Sequence, residues 1–95
     1  MQNDQLSQVD AGTIETRRND ILISLWKEGC CTRDELKSVL DFNLDTNAGR
    51  FTELVMEGKI VAIGKKDGSN IYQLTSLGKQ AVIDIVKNME VNNGF

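Results

Sequence analysis

Arg50 offers a partner more chemistry than any other side chain in this sequence, and that chemistry is recognition. Its planar guanidinium holds donors in a rigid fork that can bond two acceptors on one planar edge together. Thr46, Asn47, Gly49 and Glu53 stand around it at helical spacing, and fifteen residues on comes the pair Lys65-Lys66. Bond-making chemistry has no comparable set. The chain contains no histidine, hence no default general base, and shows neither a nucleophile motif nor a phosphate-cradling glycine loop. The glycines at 64 and 68 have turn character, with no helix N-terminus following them to hold a phosphate. Cys30 and Cys31 are adjacent, and neighbouring cysteines would close only a strained ring. With two thiols and no imidazole, a structural zinc site would need carboxylates or a second subunit. The residues read as a non-enzyme with no cofactor and no metal, with at least one cysteine serving as a small core residue.

The elements that must position Arg50 are legible from Thr32 to Ile60. Thr32 can cap a helix, with Glu35 three residues on completing a capping box. Leu36, Val39 and Leu40 follow at helical spacing, and Asp41-Phe42-Asn43-Leu44 interrupts the pattern. A further helix begins near Asp45 or Thr46, both good N-caps. Asn47, Phe51, Leu54, Val55 and Gly58 fall on one face of it. Thr46, Gly49, Arg50, Glu53 and Glu57 occupy the other, and Gly58 can end the helix in a left-handed conformation. Helix, turn, helix is the arrangement that presents its second helix to a DNA major groove.

Upstream, residues 1–12 are rich in Gln, Asn and Asp and read as a disordered tail. Thr13 can cap a first helix whose buried stripe is Ile14, Ile21, Leu22 and Leu25, and which Gly29 ends. Trp26 lies at the edge of that stripe and Ile23 opposite it. Downstream, Ile60-Val61-Ala62-Ile63 and Ile71-Tyr72-Gln73-Leu74 read as strands around a seven-residue loop, with Lys65 and Lys66 near its tip. Thr75 caps a last helix with Val82, Ile85, Val86 and Met89 on its main stripe and Gly78 in line. Leu77, Ala81 and Ile83 lie off that stripe, so the helix must be covered on two sides. Either a second copy of the chain or the first helix and tail can supply the second cover. Leu77, Ala81, Ile85 and Met89 are the candidate contacts of a homodimer. Residues 90–95 read as a frayed tail, which leaves 13–89 as one domain.

At 95 residues the chain holds one domain at most, and its 11 basic against 14 acidic residues give a net charge of −3. Between Asn43 and Lys79 the balance is near neutral, with five basic and four acidic residues. No apolar run approaches a membrane span and no signal-peptide core opens the chain, so a reduced, cytoplasmic protein is expected.

Three strings resemble those of small prokaryotic winged helix-turn-helix regulators of the MarR/PadR kind. They are Thr32-x-x-Glu35-Leu36, Leu54-Val55-x-x-Gly58-x-Ile60, and Tyr72-x-Leu74-Thr75-x-x-Gly78. Together they span most of the chain, from about Ile14 to Met89. The resemblance implies a mainly α fold with a small β-hairpin (α+β), in the order α-α-α-β-β-α. It also implies sequence-specific binding of double-stranded DNA for transcription regulation. Thr46, Asn47, Gly49, Arg50 and Glu53 on the third helix would then read bases. Lys65, Lys66, Ser69 and Asn70 in the wing would lie on the backbone. Arg17, Arg18, Arg33 and Lys37 are candidate phosphate contacts. The alternative is a protein-interaction winged helix, an adaptor or an inhibitor of a nucleic-acid machine, favoured by the acidic balance and by Glu53 and Glu57 on the presented helix.

Overall fold

The computed structural model describes residues 11–94. The tail expected over 1–12 thus lies outside the described residues as far as residue 10, as does Phe95. In chain order the elements are α1 (Ala11–Glu28), β1 (Cys30–Thr32), α2 (Arg33–Val39), α3 (Ala48–Met56), β2 (Ile60–Lys66), β3 (Ser69–Leu74) and α4 (Ser76–Gly94). The three strands form one antiparallel sheet in the order β1-β3-β2. The helical order and the hairpin are those expected; β1 is an addition. It pairs Cys31 with Tyr72 and Thr32 with Ile71, filling the free edge of β3. Three residues, the last of them the helix cap itself, directly after a helix-ending glycine are too short a run for alternation to reveal.

Helix α1 starts at Ala11, so Thr13 sits inside its first turn rather than at its cap. It ends at Gly29, whose φ of +83° is a conformation glycine adopts freely. Helix α2 opens with the expected capping box. The Thr32 hydroxyl accepts from the Glu35 amide at 3.2 Å, while Glu35 accepts from the Thr32 amide at 2.9 Å.

The start of α3 differs from expectation. Neither Asp45 nor Thr46 caps it; Asn47 stands at the N-cap and makes no side-chain cap bond. Asn43 takes both neighbours into a turn of its own, accepting from the amides of Asp45 at 2.8 Å and Thr46 at 3.3 Å. An Asx turn competes with a helix start for the same donors, and here it delays the helix by two residues. The turn also drives Leu44 into the core, although its position in a pattern break had suggested a loop residue.

The wing is tighter than the expected seven-residue loop. Strand β2 continues to Lys66 and β3 resumes at Ser69, leaving only Asp67-Gly68 between them, with φ of +51° and +84°. Two consecutive positive φ values match the right-handed twist of the flanking strands, and Asp-Gly is well suited to supply them. Lys65 and Lys66 are therefore strand residues paired with Asn70 and Ser69, and the tip belongs to Asp67. A bulge between Ala62 and Gly64 bends β2 midway.

The core lies where α1, α3 and α4 close on the sheet. Ile21, Leu22 and Leu25 of α1 meet Leu36, Leu44, Phe51, Leu54, Ile60, Leu74 and Val82, together with Cys31. Burial pushes the Cys31 thiol up to about 11, which makes it an inert packing residue, while Cys30 is exposed. Tyr72 meets Phe51 edge to face at 4.8 Å. Thr75 caps α4 by accepting from the Gly78 amide at 3.1 Å. The same hydroxyl donates to the Gly58 carbonyl at 2.5 Å, fastening α4 to the segment that joins α3 to β2.

Candidate nucleic-acid interface

Helix α3 buries Phe51 and Leu54 and turns Gly49, Thr52 and Met56 outward. Met56 is 81% exposed, and Thr52 makes no side-chain hydrogen bond among the described residues. Neither stood among the expected contacts. Their signal was present: at 100° per residue, positions 49, 52 and 56 lie opposite 51 and 54. Val55, assigned to the buried face, is partly exposed on the other flank.

Arg50 and Glu53 are joined by a two-pronged bond on the flank turned towards α1. The Arg50 Nε and Nη2 donate to the two carboxylate oxygens of Glu53 at 3.1 and 2.7 Å. Arg18 of α1 reaches the same flank. Its guanidinium donates to Glu53 at 3.1 Å and to Glu57 at 2.6 Å, and its side chain is only 15% exposed. Lys59 closes the far end, 3.0 Å from Glu57. Three cations thus surround two carboxylates. Arg18 and then Lys59 hold Glu57 down to about 2, while Arg50 and then Arg18 hold Glu53 below the usual carboxylate range. The Arg18 guanidinium is raised in turn, chiefly by its bond to Glu57.

The remaining expected contacts are also largely occupied within the chain. Arg17 donates to the Asn47 side-chain oxygen at 2.8 Å and lies over the Phe42 ring, fixing the start of α3 to α1. Asn47 therefore faces the protein. Arg33 stacks over Phe51 at 5.0 Å, and Lys37 pairs with Asp45 at 3.0 Å. Lys66 meets Glu35 at 2.7 Å, so the wing is tied to the capping box of α2. Lys65 projects from the opposite side of the strand, exposed and without an ion-pair partner among the described residues. Thr46 hydrogen-bonds locally to the Asn43 carbonyl at 3.1 Å. Ser69 and Asn70 are exposed at the start of β3, where Asn70 donates to the Tyr72 hydroxyl at 3.3 Å.

A second surface lies between α1 and α4. Ile23 and Trp26 of α1 face Val82, Ile83 and Val86 of α4 across an open groove of about 500 Å³, with Lys27 and Lys87 at its rim. Trp26 is 48% exposed. Of the four residues nominated for a dimer, Ala81 and Ile85 pack against the core instead, while Leu77 and Met89 remain exposed. Antiparallel packing on α1 covers the 81/85 side of α4 and leaves the 83/86 side open. No helix among the described residues is long and apolar enough to cross a membrane.

A four-helix domain with a short strand after the first helix and a hairpin before the last is a winged helix, and comparison with solved structures supports the assignment. The chain has the fold of MarR-type regulators. A cysteine-to-serine mutant of MarR from E. coli, complexed with operator DNA, superposes with a TM-score of 0.64 at 21% identity. That match covers 84% of this chain and 55% of the other, so this chain spans little more than half its length. A second structure of the same mutant matches with a TM-score of 0.64 at 20% identity, over 93% and 68% of the two chains. A transcriptional regulator from Clostridium thermocellum gives a TM-score of 0.67 at 17% identity, over 92% and 93%. No family model matches the sequence, and no curated protein does.

Proposed function

We propose that the chain is a sequence-specific double-stranded DNA-binding transcriptional regulator that acts as a dimer. Helix α3 enters the major groove by its outer strip, and the wing lies along the backbone. The observation that carries this reading is the outer strip of Gly49, Thr52 and Met56, which the chain leaves uncovered in a fold seen with operator DNA in the MarR mutant. Gly49 allows close approach of the helix backbone to the base edges. Thr52 supplies a hydroxyl and a methyl, the latter suited to a thymine methyl. Arg50 stands beside them, held in one orientation by Glu53 and able to turn its outer face to guanine or phosphate. Lys65 adds affinity at the backbone without sequence choice.

One monomer with so few free cations holds DNA weakly, so two half-sites are needed for useful affinity. The open apolar groove between α1 and α4, with exposed Met89 further along the same side of α4, supports association of two copies there. The test is binding to fragmented DNA from the protein's own source across a salt series, with retained fragments sequenced. A palindromic site surviving moderate salt is the expected result. Binding that vanishes by physiological salt without an enriched sequence would refute it.

One observation favours the alternative, a protein-docking winged helix. Most of the cations that would serve DNA are spent inside the chain: Arg17, Arg18, Lys37, Arg50 and Lys66 all hold side-chain partners. That reading expects the same assay to return no DNA, and capture of a partner to depend on Trp26 and Ile83.

A further inference from the structure

The presented helix carries two glutamates, which would repel a phosphate backbone, yet both are gripped from behind by one residue of a different helix. Arg18 lies on the α1 side of α3, mostly buried, with one guanidinium nitrogen on Glu53 and another on Glu57. Glu53 in turn takes both prongs of Arg50. We infer that Arg18 is a positioning residue for the DNA-reading helix: it neutralises Glu53 and Glu57 and sets the orientation of Arg50 through Glu53, without touching DNA itself. The inference rests on the DNA-binding reading and deepens it.

Charge and geometry both support this role. A carboxylate near phosphates costs binding unless a cation is fixed beside it, and Coulomb repulsion falls slowly within the first Debye length. Lys59 neutralises part of Glu57, but among the described residues only Arg18 reaches both carboxylates. Arginine suits the place because its separate nitrogens can hold two acceptors at once, whereas an ammonium is a single point charge. The burial of Arg18 between helices also argues against the role of phosphate contact that its position in the sequence suggests.

The test is a double-mutant cycle read as affinity for the selected operator. Arg18→Gln is measured in the unmodified chain and in a background carrying Glu53→Gln and Glu57→Gln, with thermal melts to establish folding. Arg18→Gln is expected to weaken binding roughly ten- to hundredfold in the unmodified chain, and less than about threefold once the carboxylates are neutral. Equal losses in both backgrounds would make Arg18 an independent contact and overturn the inference. Should Arg18→Gln fail to fold, Arg18→Lys serves in the same cycle. It keeps the charge but not the fork, so a loss of roughly threefold or more is expected, confined to the unmodified background. Full affinity in Arg18→Lys would overturn the inference. Absence of binding by the unmodified chain at low salt would overturn the DNA reading and this inference together; binding with an additive cycle overturns this inference alone.

Discussion

Replacing Gly78 by alanine should destabilise the domain, against the helix propensity of the two residues. Alanine is the better helix former by about 1 kcal/mol, so a free helix would gain. At position 78 the added Cβ would press into the Lys59 carbonyl, 3.1 Å from its carbon and closer still to its oxygen, and 3.0 Å from the Leu74 Cδ2. A leucine methyl can turn aside; a backbone carbonyl cannot. Relief therefore requires the start of α4 to move away from Gly58-Lys59, the segment that links α3 to the wing. That movement strains the 3.0 Å bond from the Thr75 amide to the Lys59 carbonyl and the 2.5 Å bond from the Thr75 hydroxyl to the Gly58 carbonyl. Overpacking costs about 1–3 kcal/mol and each weakened hydrogen bond about 1 kcal/mol. Set against the propensity gain, the net loss is about 2–4 kcal/mol. Urea unfolding followed by Trp26 fluorescence reads it as a lower midpoint with an unchanged slope. A Gly78→Ala variant as stable as the parent would refute the claim that α4 is seated by backbone approach at this glycine.

Gly49→Ala is the counterpart. Nothing lies within 4 Å of its Cβ, so the fold should gain up to about 1 kcal/mol, while operator affinity should fall if α3 approaches the bases there. The wing lysines should separate in a salt titration. Lys65→Ala is expected to reduce the slope of log affinity against log salt by about one, whereas Lys66→Ala, which breaks the tie to Glu35, should lower affinity with less change of slope. Acid should loosen the joint between α1 and α3. Glu57 is depressed to about 2, so its contribution is complete above the ordinary glutamate value and disappears as pH falls through its folded one. Solvent screening limits that contribution to about 1 kcal/mol, and Glu57→Gln should flatten the loss of stability between about pH 4.5 and 2. Val86→Glu with Ile83→Glu should convert a dimer into a monomer in sedimentation while leaving the melting temperature of the dilute chain near its original value.

The fold was legible wherever a local rule had no competitor. Thr32 and Glu35 could satisfy each other's backbone donors, and they do; Gly58 could take positive φ at a helix end, and does. Expectation failed where two local rules competed for one segment. Asp45 and Thr46 are good caps, yet Asn43 two residues earlier closes a turn over both amides and moves the helix start to Ala48. The stretch from Gly64 to Asn70 reads as loop by composition, yet Asp67-Gly68 alone makes the turn and the rest pairs as strand. Strand β1 depends on the edge that β3 presents from forty residues away, which no window over Cys30–Thr32 contains.

The candidate site was legible as a helix face but not as a charge distribution, and the difference lies in the third dimension. Along the sequence, Arg17, Arg18, Arg33 and Lys37 are cations on the first two helices, and Glu53 and Glu57 are acids on and just after the third. Folding joins Arg18 to both acids, while Arg17 goes to Asn47, Lys37 to Asp45 and Arg33 to the Phe51 ring, so these cations are committed within the chain. The net charge of −3 is therefore a poor guide to the potential at α3. What decides it is whether Arg18 stays on its two carboxylates. With Arg18 in place, the outer strip of α3 is close to neutral, with Arg50 at one side and Lys65 on the wing beyond. With Arg18 removed, Glu53 keeps only Arg50 and Glu57 only Lys59, and the same strip is bordered by two acids that no single residue joins.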